Sequence, residues 1–272
     1  MAELLENPWL RTLLLQDHNT RVVVLATTLL GLAAGAVGSF TLLRRRALMG
    51  DALSHAMLPG IGLAFLLAPP LGLDGKSLPV LLAGAATSGA LGTLAILFIR
   101  HQTRLGEDAA LGIVLSVFFG AGLAILGLVQ QASDGHAAGL ESFILGKTAS
   151  ITTTDAFWIM VCGAVAVGIL AVGFKELTLL CFDPGYTAAR GYPALGLDIA
   201  LMGAVVLITV VGLQAVWLIL MIALLVIPAA TARFWVTQVR SLTILSALIG
   251  AVSCMTGAWA VGVSWALIVK PP

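Results

Sequence analysis

The sequence predicts an all-α integral membrane protein with about eight transmembrane helices, and three observations carry this prediction. Of the 272 residues, 60% are hydrophobic and only 10% are charged, whereas soluble domains carry about 25% charged residues. The mean hydropathy is +1.07. The apolar residues also form runs of about 20, the length at which a helix crosses a bilayer. This composition excludes an ordinary soluble domain.

Eight apolar segments are the candidate spans. They cover residues 21–43, 52–69, 78–99, 109–130, 156–174, 195–212, 214–232 and 242–268. The sixth and seventh spans almost touch, which predicts a tight turn from Gly212 to Gln214. Two small residues in the first span, Gly31 and Gly35, form a GxxxG pair, which favours close helix packing in lipid.

The first twenty residues precede these spans and form a separate region. Four apolar residues can share one helical face, which predicts a short helix lying in the membrane interface over residues 1–20. They are Trp9, Leu10, Leu13 and Leu14. This stretch is too polar for the core of a cleavable signal peptide. Residues 21–272 are predicted to form a single transmembrane domain.

Basic residues concentrate in alternate loops, and this asymmetry predicts the orientation. The loops after the first, third, fifth and seventh spans hold Arg44, Arg45, Arg46, Arg100, Arg104, Lys175, Arg190, Arg233 and Arg240. The opposite loops hold Lys76 and Lys147. Because positive residues favour the cytoplasmic side, the arginine-rich loops are predicted to face the cytoplasm and both termini to lie outside.

The segment RRRALMGDALSHAMLPGIG, residues 44–62, contains the most informative polar pair. Asp51 and His55 are four residues apart and therefore share one face of a helix. A carboxylate and an imidazole are suitable ligands for manganese, iron or zinc, and Pro59 favours a helix break beside them. Spacing alone leaves an alternative open, in which Asp51 is a solvated first-turn residue and His55 an interior histidine.

The segment FKELTLLCFDPGYTAARGYP, residues 174–193, carries the signals of a short helix inside a predicted cytoplasmic loop. Asp183 can cap the helix, Pro184 suits its first position and Gly191 suits the residue past its end. A helix is therefore predicted over residues 184–190. Two interpretations remain open, a site that a soluble partner grips or an ordinary interfacial connector.

The sequence lacks the patterns of a cysteine zinc site, a disulfide framework and a nucleotide-binding loop. Cys162, Cys181 and Cys254 are far apart and form no zinc or disulfide pattern, so we interpret them as packing residues. The Gly-Lys-Thr run at 146–148 has Glu141 where a phosphate-binding loop needs glycine. The sequence therefore predicts no nucleotide site, and ATP would have to be used by a partner.

The chain resembles the permeases of the manganese/zinc/iron ABC-importer family. The resemblance is carried by RRRALMGDALSHAMLPG, CFDPGYTAARGYP and LLVIPAATARFW, and by SFILGKTASIT in the outer loop before the fifth span. It extends over residues 20–268. It implies a type II ABC-importer permease architecture that acts as a permease pair in the bacterial inner membrane. It also implies two cytoplasmic ATPase subunits and an external metal-binding protein as partners.

The resemblance also implies roles for particular residues. The metal ligands would be Asp51 and His55, with a divalent metal as transported substrate and no cofactor held by this chain. The coupling helix that docks into the ATPase would comprise Asp183, Pro184, Gly185, Tyr186, Thr187, Ala188, Ala189 and Arg190. The expected function is the permease subunit of an ATP-driven importer of manganese or iron, with zinc as a further candidate. The chain itself would not be an enzyme.

Two rival functions differ in what they require. A secondary divalent-cation transporter or channel would work without an ATPase and would use an ion gradient. An intramembrane metalloenzyme would need further ligands, such as an HExxH motif, and the sequence has only the four histidines His18, His55, His101 and His136. Of these, His55 alone lies in an apolar segment beside an acidic residue. His136, in an outer loop, is a minor candidate for contact with the incoming metal.

Overall fold

The computed structural model describes residues 18–44, 46, 48–72, 75, 77–132 and 151–269. The helices in this part are α1 His18–Leu43, α2 Met49–Ala56, α3 Leu58–Leu67, α4 Leu78–Gln102, α5 Glu107–Ala132, α6 Thr153–Val172, α7 Phe174–Phe182, α8 Pro184–Ala189, α9 Ala194–Ala215, α10 Leu218–Trp235 and α11 Val239–Val269. A 3-10 turn, Pro69–Leu71, follows α3. The interfacial helix predicted for residues 1–20 falls almost wholly outside the described residues, as do His136 and Glu141.

Eight segments of the described chain are long and apolar enough to cross a membrane, which confirms the predicted number. The second of them, Met49–Leu67, combines α2 and α3. The short helices α7 and α8 lie between the fifth and sixth spans. The sequence predicted α8 but not α7, whose residues were assigned to a loop.

The predicted turn between the sixth and seventh spans is wrong in position. Helix α9 continues to Ala215, and the chain reverses in the extended residues Val216 and Trp217. Gly212 lies inside α9, where a Cβ atom would collide with the sulfur of Met221 on α10. The absence of a side chain at Gly212 therefore leaves room for Met221 and does not serve a turn.

Helix α1 is the centre of the bundle, and its glycines allow other helices to approach its backbone. A Cβ at Gly31 or Gly35 would collide with the backbone of α11, at the carbonyls of Gly250 and Ser246. The Ser246 hydroxyl donates a hydrogen bond to the Gly35 carbonyl at 2.6 Å. The close packing predicted from the GxxxG pair is therefore confirmed, and the helix that packs against these glycines is α11.

The second span is interrupted between α2 and α3. Met57 keeps helical dihedral angles (φ −79°, ψ −23°), so Pro59, the second residue of α3, interrupts the hydrogen-bond ladder without a sharp turn. Ser88 of α4 donates a hydrogen bond to the Ala56 carbonyl at 2.6 Å, where α2 ends. Because of this interruption α2 is a separate short helix, and it carries the predicted metal pair.

Candidate functional site

Helix α2 presents Asp51 and His55 side by side. Asp51 lies in the first turn of this eight-residue helix and His55 in the last, and four residues of separation place both on one face. The Asp51 Oδ1 and His55 Nε2 atoms are 3.4 Å apart. Their side chains are 34% and 21% exposed, so the pair borders open space. The structure therefore brings the two predicted ligands together on an accessible side of the chain.

The other edge of the His55 ring faces the protein. Its Nδ1 atom is buried and has no hydrogen-bond partner among the described residues. The ring packs edge-on against Phe119 of α5, with ring centroids 4.6 Å apart and planes at 68°. The imidazole thus has two neighbours, Asp51 at Nε2 and the Phe119 ring.

Two side chains are too few to enclose a metal ion. Within the described residues, no group of three or more histidine, cysteine, aspartate or glutamate side chains lies close enough to hold one. Divalent transition metals in proteins take four or more ligands. Any ion held at Asp51 and His55 would need further donors from water, from backbone oxygens or from another chain.

A cluster of five charged side chains lies at one end of the bundle, and sequence reasoning missed it. Asp198, near the start of α9, accepts hydrogen bonds from both terminal nitrogens of Arg46, at 2.6 and 2.9 Å. It also accepts from Arg44 at 3.1 Å and from Arg100 at 2.9 Å. Glu107 of α5 forms an ion pair with Arg46. The cluster thus joins the starts of α5 and α9 to the end of α4 and to the link between α1 and α2.

The two acids of this cluster, Asp198 and Glu107, favour the charged form of Arg46. Burial alone would disfavour the charged guanidinium of Arg46, but the hydrogen bonds and negative charge of Asp198, and then those of Glu107, outweigh burial and raise its pKa. Arg46 is therefore charged throughout the physiological pH range. The sequence did contain a signal for this cluster, since Asp198 is an acidic residue within the otherwise apolar segment 195–212. Buried acids in such segments need cationic partners.

Helix α8 has the predicted caps and projects from the bundle. The Asp183 side chain accepts a hydrogen bond from the Tyr186 backbone N–H at 2.8 Å, and Gly191 follows the helix with a φ of +82°. Tyr186 is 49% exposed, and the Arg190 guanidinium lies 5.9 Å from the centre of its ring. Thr187 is fully buried and anchors the inner side. The helix therefore offers a small capped surface beyond the membrane-crossing segments.

The opposite end of α9 is tied to α6. Asp155 and Thr152 form a reciprocal capping box at the start of α6, and Gln214 donates a hydrogen bond to Asp155 at 2.6 Å. Both side chains of this pair are buried. Helix α9 is therefore fixed at one end by Asp198 and at the other by Gln214.

These features together define a class of protein: a multi-span membrane protein with a polar pair on a short interrupted helix and a capped helix projecting from one end. The comparison with protein families identifies it further. Residues 16–265 match the ABC 3 transport family, and the chain belongs to this family. It is therefore a membrane permease of the ABC type, as the sequence resemblance implied.

Three relatives show how far the similarity extends. The chain is 43% identical over 252 residues to the manganese transport system membrane protein MntC of Bacillus subtilis, covering 93% of this chain and 56% of that protein. It is 44% identical over 245 residues to the zinc transport system membrane protein TroC of Treponema pallidum, covering 90% and 80%. A solved structure of PsaBC from Streptococcus pneumoniae in complex with Fab matches with a TM-score of 0.73 and 29% identity, over 95% of this chain and 94% of that chain. The chain thus spans a little over half the length of the Bacillus protein.

Proposed function

We propose that this chain is the membrane-spanning permease subunit of an ATP-driven importer of a divalent transition metal, manganese or iron foremost and zinc as an alternative. The observation that carries the proposal is the Asp51–His55 pair, with a carboxylate oxygen and an imidazole nitrogen 3.4 Å apart on one exposed face. Family membership supports it, and two similar proteins are named for manganese and zinc transport.

The two donors suit a metal ion that is transported and released, rather than one that is bound permanently. A carboxylate oxygen is a common ligand of manganese and an imidazole nitrogen of iron and zinc, so the identity of the two donors is compatible with all three metals. Because the pair supplies only two donors, an ion there would retain water or be shared with a second permease chain. Such incomplete coordination favours release toward the next site, which transport requires.

The proposed partners follow from the same assignment. A cytoplasmic ATPase subunit would dock on α8, an external binding protein would deliver the ion, and a second permease, identical or homologous, would face the Asp51–His55 side. ATP would be hydrolysed by the ATPase alone. Its closure would move α8 and expose the cavity between the permeases alternately to the two sides of the membrane.

The site is tested by manganese uptake in cells that express the complete transporter with Asp51→Ala or His55→Ala. We expect each substitution to reduce uptake at least tenfold, because one of the two side-chain donors that this chain supplies is removed. Asp108→Ala and His101→Ala are the matched controls, since both residues are exposed at helix ends away from the pair, and they should transport normally. Full uptake by both site variants would reject the proposed metal site.

The same assay separates the proposed importer from an ATPase-independent cation transporter. Uptake that persists when the partner ATPase is inactivated, and that stops when the ion gradient is collapsed, would favour the latter function.

A further inference from the structure

The His55 imidazole lacks the support that metal-binding histidines usually have. Such a histidine normally donates its second ring N–H to a carboxylate, a carbonyl or water, and that bond fixes the ring. Here the Nδ1 atom is buried and no acceptor lies within reach among the described residues. Besides the 3.4 Å approach of Nε2 to Asp51, the contact that can orient the ring is the one with Phe119.

The position of Phe119 is fixed by a close packing of α5 along the second span. One turn beyond Phe119, a Cβ atom at Gly122 would lie only 2.7 Å from the Cβ of Leu58 and 3.3 Å from the Cδ of Pro59. One turn further, a Cβ at Gly62 would lie 2.6 Å from the Cγ2 of Ile125. These contacts advance together along both helices. The two helices therefore run side by side in parallel, and their register places Phe119 against His55.

We propose that Phe119 is a positioning residue for the metal site, whose ring holds the His55 imidazole with Nε2 toward Asp51 and shields its inner edge from water. This inference rests on the proposed function of Asp51 and His55. The edge-on geometry, 4.6 Å between centroids, is a favoured arrangement of aromatic pairs. An aromatic contact thus replaces the hydrogen bond that usually orients a metal ligand.

The first experiment compares Phe119→Leu with Phe118→Leu in the purified complete transporter. Phe118 is the neighbouring residue, is also partly buried and packs against the core, so its substitution reports general loss of packing. We expect Phe119→Leu to raise the manganese concentration for half-maximal binding roughly tenfold. The maximal uptake rate at saturating manganese should stay near that of the wild type. Phe119→Tyr should restore binding, because the ring is retained.

A second experiment displaces the ring without changing it. Gly122→Ala introduces a methyl group against Leu58 and Pro59 at the start of α3. It should move α5, and Phe119 with it, away from the second span and so weaken manganese binding as Phe119→Leu does. Gly127→Ala is the control on the same helix, since no atom lies within 4 Å of its added Cβ. Equal binding by the two glycine variants would contradict the role that we assign to the packing register.

The outcomes separate this inference from the function on which it rests. If His55→Ala binds manganese as the wild type does, the proposed metal site itself fails. If His55→Ala loses binding while Phe119→Leu retains it, the metal site stands and the positioning role is overturned. If Phe118→Leu and Phe119→Leu weaken binding equally, or Phe119→Tyr fails to restore it, the effect is general packing and the positioning role is also overturned.

Discussion

Asp198 is the residue on which most of the buried charge depends. Its carboxylate is 5% exposed and accepts hydrogen bonds from three arginines, so three cations together stabilise the buried negative charge. Removing one member of a buried ion pair leaves an uncompensated charge, which costs more than the pair contributes. If the acid were lost, Arg44 would lose its ion pair, and Arg46 and Arg100 would keep only Glu107.

We therefore expect Asp198→Asn to destabilise the protein by about 3–5 kcal/mol. The substitution keeps the shape of the side chain and removes its charge, so the effect reports electrostatics. Asp108→Asn changes an exposed acid in the first turn of α5 and should cost at most about 1 kcal/mol, through its interaction with the helix dipole. Thermal unfolding of the purified permease in detergent measures both, and an Asp198→Asn variant as stable as the Asp108→Asn control would contradict the expectation.

At the scale of residues, spacing predicts neighbours on one helix but not partners across the fold. The four-residue interval placed Asp51 and His55 on one face, and their side chains do meet. Asp198 and Arg46 are separated by 152 positions and Asp198 and Arg100 by 98. No local pattern contains such a pair, because helix packing brings its members together. The same holds for the contact of His55 with Phe119.

At the scale of elements, local chemistry predicted helix ends where caps are strong. Asp183, Pro184 and Gly191 fixed α8 within one residue, because each satisfies a specific backbone requirement of a helix end. The end of α9 was misplaced because Gly212 was interpreted as a turn, whereas it accommodates Met221. A glycine suits a turn and also leaves room for a side chain of a neighbouring helix, and only the position of that helix shows which of the two applies. The role of α8 stays a prediction.

That role can be tested on the exposed side of α8. Tyr186→Ala combined with Arg190→Ala removes the exposed ring and guanidinium and leaves the Asp183 cap and buried Thr187 intact. We expect retention of the ATPase subunit during purification to fall roughly tenfold, because aromatic and arginine side chains dominate interface energetics. Tyr192→Ala, an exposed tyrosine just past the helix, is the control. Undiminished retention by the double variant would exclude α8 as the docking element.

At the scale of the whole molecule, α9 connects both ends of the bundle. It has 22 residues, about 33 Å at 1.5 Å per residue. It follows α8 directly, meets the arginine cluster through Asp198 and reaches α6 through Gln214. A displacement of α8 would therefore be transmitted to a helix anchored at both ends, and Arg46 would carry it toward α2. This arrangement favours movement of rigid helices over local unfolding.

The orientation of the bundle in the membrane can be tested at both of its ends. The Asp198 cluster joins the link after α1, the end of α4 and the start of α9, so three of the four loops predicted to be cytoplasmic meet at one end. With the native cysteines replaced by alanine, we expect Trp217→Cys, in the turn between α9 and α10, to react with a membrane-impermeant maleimide on intact cells. Thr103→Cys and Thr237→Cys, both exposed at the other end, should react only after permeabilisation.

Native Cys181 provides an internal control for that labelling. It lies on α7, where burial raises the pKa of its thiol to about 11, so at neutral pH it is protonated and a poor nucleophile. Restoring Cys181 to the cysteine-free background should therefore add no label on either side of the membrane at neutral pH. The opposite pattern, with Thr103→Cys and Thr237→Cys labelled on intact cells, would invert the topology. It would also put α8 outside the cell, where no cytoplasmic ATPase could reach it.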